Sequence, residues 1–167
     1  MKTLRVTILL VLSLVTLSCS GDDDGGSNAG TPEFTATING GTFNNYTAAL
    51  EGFSVTASVG LTIAITDTNF NIIRLFMNNT GGFSSGVVKE VGNIDSDGFV
   101  TTVTIRDQEA LITYTATSGS ISISEVRSNP DEPSLKSISG TFNITASDNN
   151  GATVTMTGSF SNLDYLD

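Results

Sequence analysis

The chain of 167 residues contains no histidine and a single cysteine, and these two absences remove most familiar catalytic machinery. Without histidine there is no Ser-His-Asp or Cys-His nucleophilic centre. With neither histidine nor a second cysteine, zinc sites of the usual kind are excluded as well. The sequence also lacks the phosphate-binding Walker motif and the glycine fingerprint of dinucleotide-binding folds. We therefore expect no catalytic residue and no cofactor, and predict that the protein is not an enzyme.

Positive charge is scarce too. Seven Lys and Arg stand against seventeen Asp and Glu, which gives a net charge of −10. Nucleic-acid binding needs a basic footprint, and docking on anionic lipid needs a basic patch, so both are excluded. Tryptophan, a common platform for sugars, is absent, although three tyrosines and nine phenylalanines remain.

The first 18 residues have the pattern of a secretory signal. Lys2 and Arg5 precede an apolar run from Val6 to Leu17, which is too short for a bilayer core of roughly 30 Å. Cys19 follows at the boundary, in the position typical of a bacterial lipoprotein signal. We predict that Cys19 is lipidated and becomes the first mature residue. A cleaved signal without lipid is the alternative, because Thr16 stands where the lipoprotein pattern favours leucine.

Residues 19–32 are predicted to form a flexible tether, since they are acidic and then rich in Gly, Ser and Asn. The acidic stretch comprises Ser20, Asp22, Asp23 and Asp24. It resembles the export signal of lipoproteins that the phylum Bacteroidota displays on the cell surface. We predict an outer-membrane protein held by its N-terminal acyl chains and facing the outside. A periplasm-facing location is the alternative.

Residues 33–167 are predicted to form a single all-β domain. Apolar and Thr/Ser residues alternate with a period of two in run after run, and turn residues separate the runs. Asn150-Gly151 is a strong hairpin signal, because both residues tolerate positive φ. We expect nine to eleven strands in an antiparallel meander. It is predicted to close as an up-and-down, flattened barrel, with a two-sheet β-sandwich as the alternative.

Three segments resemble a family of uncharacterised Bacteroidota lipoprotein domains. They read FTATING at residues 34–40, ISGTFNITA at 138–146 and GATVTMTGSF at 151–160. The resemblance implies the lipid anchor, the compartment and the all-β domain. It implies no activity.

The stretch from Asn93 to Gly98 places oxygen-bearing side chains at alternate positions, namely Asn93, Asp95 and Asp97. This is the first half of a calcium loop, but Thr104 occupies the position where a bidentate glutamate would close it. The same residues also suit an ordinary hairpin turn. We predict no metal site and keep these three residues as weak candidates.

Two carboxylate pairs have the chemistry of a glycosidase in principle: Asp107 with Glu109, and Asp95 with Glu125. No spacing selects either pair on an acidic protein. A further segment, Asn129 to Pro133, predicts a rigid loop that is either a recognition loop or a connection.

Three classes of function remain after these exclusions. We expect a non-catalytic binding or adhesion module with a glycan or protein ligand. A structural or accessory lipoprotein that partners a membrane complex is the alternative, and an enzyme is the least favoured class.

Overall fold

The computed structural model describes residues 30–166. The predicted signal, the lipidated Cys19 and the export residues Ser20, Asp22, Asp23 and Asp24 lie outside them. The described part holds nine antiparallel strands, and no helix in it is long and apolar enough to cross a membrane. The strands are β1 Glu33–Gly40, β2 Phe43–Ala57, β3 Gly60–Asp67, β4 Ile72–Asn78, β5 Val88–Glu90, β6 Thr102–Asp107, β7 Ile112–Ser128, β8 Leu135–Ser147 and β9 Thr153–Leu166.

Eight of these strands form a closed ring. The order is β7-β6-β4-β3-β2-β1-β9-β8, and β8 returns to pair with β7. The short β5 pairs with β7 at residues 120–122, beyond the stretch of β7 that pairs with β6. The ring is uneven, because β7 and β8 pair over twelve positions whereas β6 and β7 pair over four. The predicted flattened barrel is therefore confirmed, and the two-sheet alternative is not observed.

Alternate residues of β1, β3, β4 and β6 point inward and fill the barrel. The fully buried apolar residues of β3 and β4 are Leu61, Ile63 and Ile65, then Ile73, Leu75 and Met77. Isoleucine, valine and phenylalanine supply most of the remaining core, as their preference for a pleated half-buried surface predicts. The packed interior leaves no room for a ligand inside the barrel, so a ligand would have to bind at its ends or on its outer wall.

The two Gly-x-Phe motifs meet across β8 and β9. Gly140 pairs with Phe160, and Phe142 pairs with Gly158. Each phenylalanine ring covers the glycine opposite, so a Cβ at Gly140 would lie 2.6 Å from Phe160 and a Cβ at Gly158 would lie 2.8 Å from Phe142. The repeated motif is thus a packing device, in which aromatic rings fill the space left by glycines.

Antiparallel connections sort the loops into two groups. The turn end carries the connections at residues 41–42, 68–71, 108–111 and 148–152. The loop end carries the turn at 58–59 and the longer segments at 79–87, 91–101 and 129–134. Gly30, where the described chain begins, lies at the loop end, because β1 runs from there toward the turn end.

Candidate binding cleft at the turn end

Three neighbouring turns at the turn end enclose a cleft of about 500 Å³. We call it the turn-end cleft. Its lining combines aromatic rings, amides, hydroxyls and two carboxylates, and it includes no lysine or arginine. The lining residues are Thr42, Phe43, Asn44, Tyr46, Thr68, Asn69, Phe70, Asn71, Asp107 and Glu109.

Asp67 organises the floor of the cleft. Its carboxylate is fully buried and accepts hydrogen bonds from the N–H groups of Asn69 and Asn71, both at 2.9 Å. Its second oxygen accepts the Tyr46 hydroxyl at 2.6 Å and the Asn71 side-chain amide at 3.1 Å. The side-chain amide oxygen of Asn71 accepts the N–H of Gln108 at 3.1 Å and so ties this turn to the next. Each oxygen of the Asp67 carboxylate therefore accepts two hydrogen bonds, and this network holds Tyr46 and Asn71 in place.

The pKa values of two groups in the cleft, Tyr46 and Asp107, are shifted away from the neutral range. Burial, together with the hydrogen bond to Asp67 and its negative charge, raises the pKa of Tyr46 to about 12. Burial alone would raise the pKa of Asp107. Hydrogen bonds from Thr42, Ala110 and Glu109 outweigh it, however, and hold that pKa below its ordinary value. At neutral pH Tyr46 therefore stays protonated and Asp107 stays ionised, and neither is poised to exchange a proton with a bound molecule.

The Asp67 turn belongs to a set of three equivalent turns, which begin at Asp67, Asp95 and Asp148. In each, one aspartate oxygen accepts the N–H groups of the second and fourth residues that follow, at 2.8–3.0 Å. In each, the aspartate N–H donates to the main-chain carbonyl of the fourth residue that follows, and the aspartate carbonyl accepts the N–H of the third residue. The third residue has positive φ in all three turns. The sequence Asp-x-Asn/Asp therefore specifies one turn geometry three times.

No family model, no curated protein and no solved structure matches this chain.

The calcium candidates lie at the loop end, and hydrogen bonds within the protein occupy two of the three. Asp95 binds N–H groups of its own turn with one oxygen and the N–H of Asn79, at 3.3 Å, with the other. Asn93 accepts the Asn78 side-chain amide. Asp97 is exposed. Within residues 30–166, no group of three or more Asp, Glu, His or Cys side chains is placed to hold a metal ion.

The structure places the two candidate carboxylate pairs differently. Asp107 and Glu109 both line the turn-end cleft, but one oxygen of Asp107 accepts the N–H of Glu109 at 2.9 Å. Asp95 lies in a loop-end turn, whereas Glu125 is exposed on β7 opposite Ser139. The structure therefore brings the first pair to the cleft and assigns no common site to the second.

The segment from Asn129 to Pro133 is a braced connection between β7 and β8. Asn129 is buried; its side-chain oxygen accepts the N–H groups of Asp131 and Glu132 at 2.9 and 3.2 Å. Its amide donates to Asp164 at 2.9 Å. The loop is held by its own asparagine, at the opposite end of the barrel from the cleft.

Sequence reasoning did not single out Asp67, Phe70 or Asn71. The largely apolar stretch from Phe70 to Met77 by itself favours a strand, but β4 begins at Ile72 and Phe70 lies in the turn with φ of 64°. The available signal was the Asp-x-Asn spacing of residues 67–69, which the Asp148 turn repeats, with phenylalanine at position 70 where that turn has Gly151.

Proposed function

We propose that this protein is a surface-displayed outer-membrane lipoprotein that serves as a non-catalytic binding or adhesion module, with the turn-end cleft as its binding face. The acyl chains on Cys19 hold it to the membrane. The acidic residues Asp22, Asp23 and Asp24 direct it to the outside. The ligand is a glycan or a protein of the surroundings.

The placement of the cleft carries this proposal. The described chain starts at the loop end, where the Asn162 side chain donates to the Thr31 carbonyl at 3.1 Å and accepts Arg127 at 2.7 Å. A tether that enters there approaches the barrel from the side opposite the cleft. Anchoring through Cys19 then attaches the domain by its loop end, so the turn-end cleft is the end farther from the point of attachment and open to a large ligand.

The electrostatics of the cleft support binding rather than catalysis. A general acid needs a raised carboxyl pKa, whereas the pKa of Asp107 is lowered. Tyr46, with its pKa raised to about 12, is too weak an acid and, while protonated, no base. The same groups are well suited to hydrogen-bond a ligand in one fixed protonation state.

Fractionation and protease accessibility test the location. We expect Cys19→Ala to leave the membrane fraction, and protease added to intact cells to remove the wild-type domain. Replacing Asp22, Asp23 and Asp24 with alanine is expected to keep the protein membrane-bound but protected. Membrane retention of Cys19→Ala with palmitate labelling contradicts the anchor, and equal protease sensitivity of both anchored forms contradicts the export signal.

Site-directed blocking tests the binding face. Lipidated Cys19 carries no free thiol, so an introduced cysteine is the sole target of a bulky maleimide-polyethylene glycol. Asn44→Cys places it at the cleft and Ser134→Cys at the loop end; both positions are exposed. Binding of the purified full-length protein to immobilised polysaccharides or gelatin should be lost on labelling position 44 and kept on labelling position 134. Equal effects at the two positions would refute the cleft as the binding face.

A further inference from the structure

We infer that Phe70 is a stacking platform for a neutral saccharide in the turn-end cleft. This inference rests on the proposed binding function and names its ligand class.

The backbone of Phe70 is strained where the equivalent turns are not. The third residue after the turn aspartate is Gly98 in one turn and Gly151 in another, with φ of 88° and 85°. Phe70 takes the same place with φ of 64°. Glycine enters this left-handed region freely, whereas a residue with a Cβ does so at a cost in conformational energy. Strain of this kind points to function when the surrounding structure enforces it, and here the Asp67 hydrogen bonds do so.

The Phe70 side chain does not offset this strain by packing in the core. Phe70 is 68% exposed, so its ring contributes little to the folded core. It lines the cleft together with Tyr46 and Asn71, whose side chains Asp67 holds by hydrogen bonds. A large aromatic ring that is fixed, open to solvent and beside hydrogen-bonding groups is a contact surface for a ligand.

The polar groups of the cleft select the ligand. Lysine and arginine are absent from its lining, so an anionic ligand would meet no countercharge. Asp67 is saturated by donors from the protein, and Asp107 accepts the N–H groups of Glu109 and Ala110 at 2.9 Å, so the exposed Glu109 carboxylate is the one negative charge of the lining that a cation would meet. The other open groups are amides and hydroxyls from Asn44, Asn69 and Thr68, and with Glu109 they offer donors and acceptors to a neutral polar ligand.

Such an array complements the hydroxyls of a sugar, since amides and hydroxyls both donate and accept. The apolar C–H face of a pyranose ring packs against an aromatic face, which Phe70 supplies. A neutral saccharide therefore matches the cleft in both its polar and its apolar parts.

The test uses beads coupled to an α-glucan, a β-glucan, a β-mannan, polygalacturonate or gelatin, with the purified full-length protein in non-ionic detergent. We expect retention on at least one neutral polysaccharide. Phe70→Gly should weaken that retention at least about tenfold, as loss of an aromatic anchor does at other binding sites. Phe70→Tyr should restore it to within about twofold, since it preserves the ring.

Leu111→Gly is the matched control. Leu111 also has positive φ, 57°, is 66% exposed and lies in the neighbouring turn, but it is outside the cleft lining. Both glycine variants relieve strain, so their melting temperatures should equal or exceed that of wild type. Only Phe70→Gly should lose binding.

The outcomes separate the two proposals. Undiminished retention of Phe70→Gly, or equal loss in Leu111→Gly, overturns the role of Phe70. Binding to gelatin or polygalacturonate alone overturns the neutral saccharide and leaves the binding function standing. Retention on none of the five matrices overturns both.

Discussion

The two most deeply buried charges of residues 30–166 lie at opposite ends of this barrel and have opposite signs. Asp67 at the turn end is fully buried, and Lys89 at the loop end is 3% exposed. Neither has an oppositely charged partner within residues 30–166. The anion is satisfied by N–H and O–H donors. The cation is satisfied by the carbonyl oxygens of Asn78, at 2.9 Å, and Thr80, and by the Phe83 ring, whose centroid lies at 4.5 Å.

The difference lies in what surrounds the two charges. Lys89 lies beside a cavity of only about 50 Å³, and its ammonium group closes the loop end by binding main chain. Asp67 lies beneath a cleft of about 500 Å³, and its bonds reach the Tyr46 and Asn71 side chains that form the cleft floor. Asp67 therefore supports the side chains of a surface that a ligand can reach, whereas Lys89 stabilises an enclosed part of the protein.

The largest expected effect is the loss of the turn-end hub. Asp67→Ala leaves the Tyr46 hydroxyl and the Asn71 amide without their acceptor and should lower the free energy of unfolding by about 3–5 kcal/mol. Asp148→Ala is the control, because the Asp148 turn has the same main-chain hydrogen bonds. Loss of this exposed local cap should lower the free energy of unfolding by only about 1 kcal/mol. Denaturant unfolding of both variants measures the difference. Equal losses would show that Asp67 is only a turn residue.

The loop-end charge should matter less. Lys89→Met keeps the length of the side chain and removes the desolvation of the ammonium, while the two carbonyls lose their donor. We expect a loss of about 1–2 kcal/mol in the free energy of unfolding. Binding at the turn-end cleft should be unchanged, since Lys89 lies at the other end of the barrel. A parallel loss of polysaccharide retention would contradict the separation of the two ends.

The fold was predictable because its signal is periodic. Residues such as Leu61, Ile63 and Ile65 alternate with polar neighbours, and Asn150-Gly151 marks its turn without reference to the rest of the chain. Closure was favoured because a long meander must protect its edges. The uneven ring, in which β5 and β6 share one side of β7, depends on the course of residues 79–101, which carry no period.

The site was not predictable in the same way. Tyr46 is 21 residues from Asp67 and Gln108 is 37 residues from Asn71, and the pairing of β2 with β3 and of β4 with β6 brings their turns together. The calcium-like spacing at Asn93 is explained by an ordinary turn, which the sequence analysis kept as an alternative and which recurs at Asp148. Phe70 could not be recognised as a turn residue, because an apolar residue just before an apolar run favours a strand even where the backbone conformation suits glycine.

The two ends should also respond with opposite sign to alkaline pH. The pKa of Tyr46 is raised from 10.0 to about 12, so its contribution to stability is present below pH 10 and is lost as pH rises toward 12. Burial lowers the pKa of Lys89 from 10.5, so the unfolded chain binds more protons just below pH 10.5 and stability rises there with pH.

Unfolding followed from pH 8 to 12 tests this contrast. Tyr46→Phe should flatten the decline above pH 10, and Lys89→Met should flatten the rise below pH 10.5. If Tyr46→Phe declines as steeply as the wild type, the Tyr46–Asp67 hydrogen bond does not set the alkaline limit of the turn end.

The smallest expected effect is that of calcium, which would have to bind at the loop end. Asp95 directs both oxygens to N–H groups of the protein, so a cation would have to displace hydrogen bonds that hold its turn and the N–H of Asn79. We expect no change in melting temperature between excess EDTA and millimolar calcium. A ligand specific to the folded state at a hundredfold excess over Kd stabilises by ~2.7 kcal/mol, which is a rise of several degrees in a domain of this size. Asp95→Ala should lower the melting temperature equally with and without calcium, because its role is that of a turn cap. A calcium-dependent rise of about five degrees or more, absent in Asp95→Ala and Asp97→Ala, would contradict this and make the loop end a second binding site.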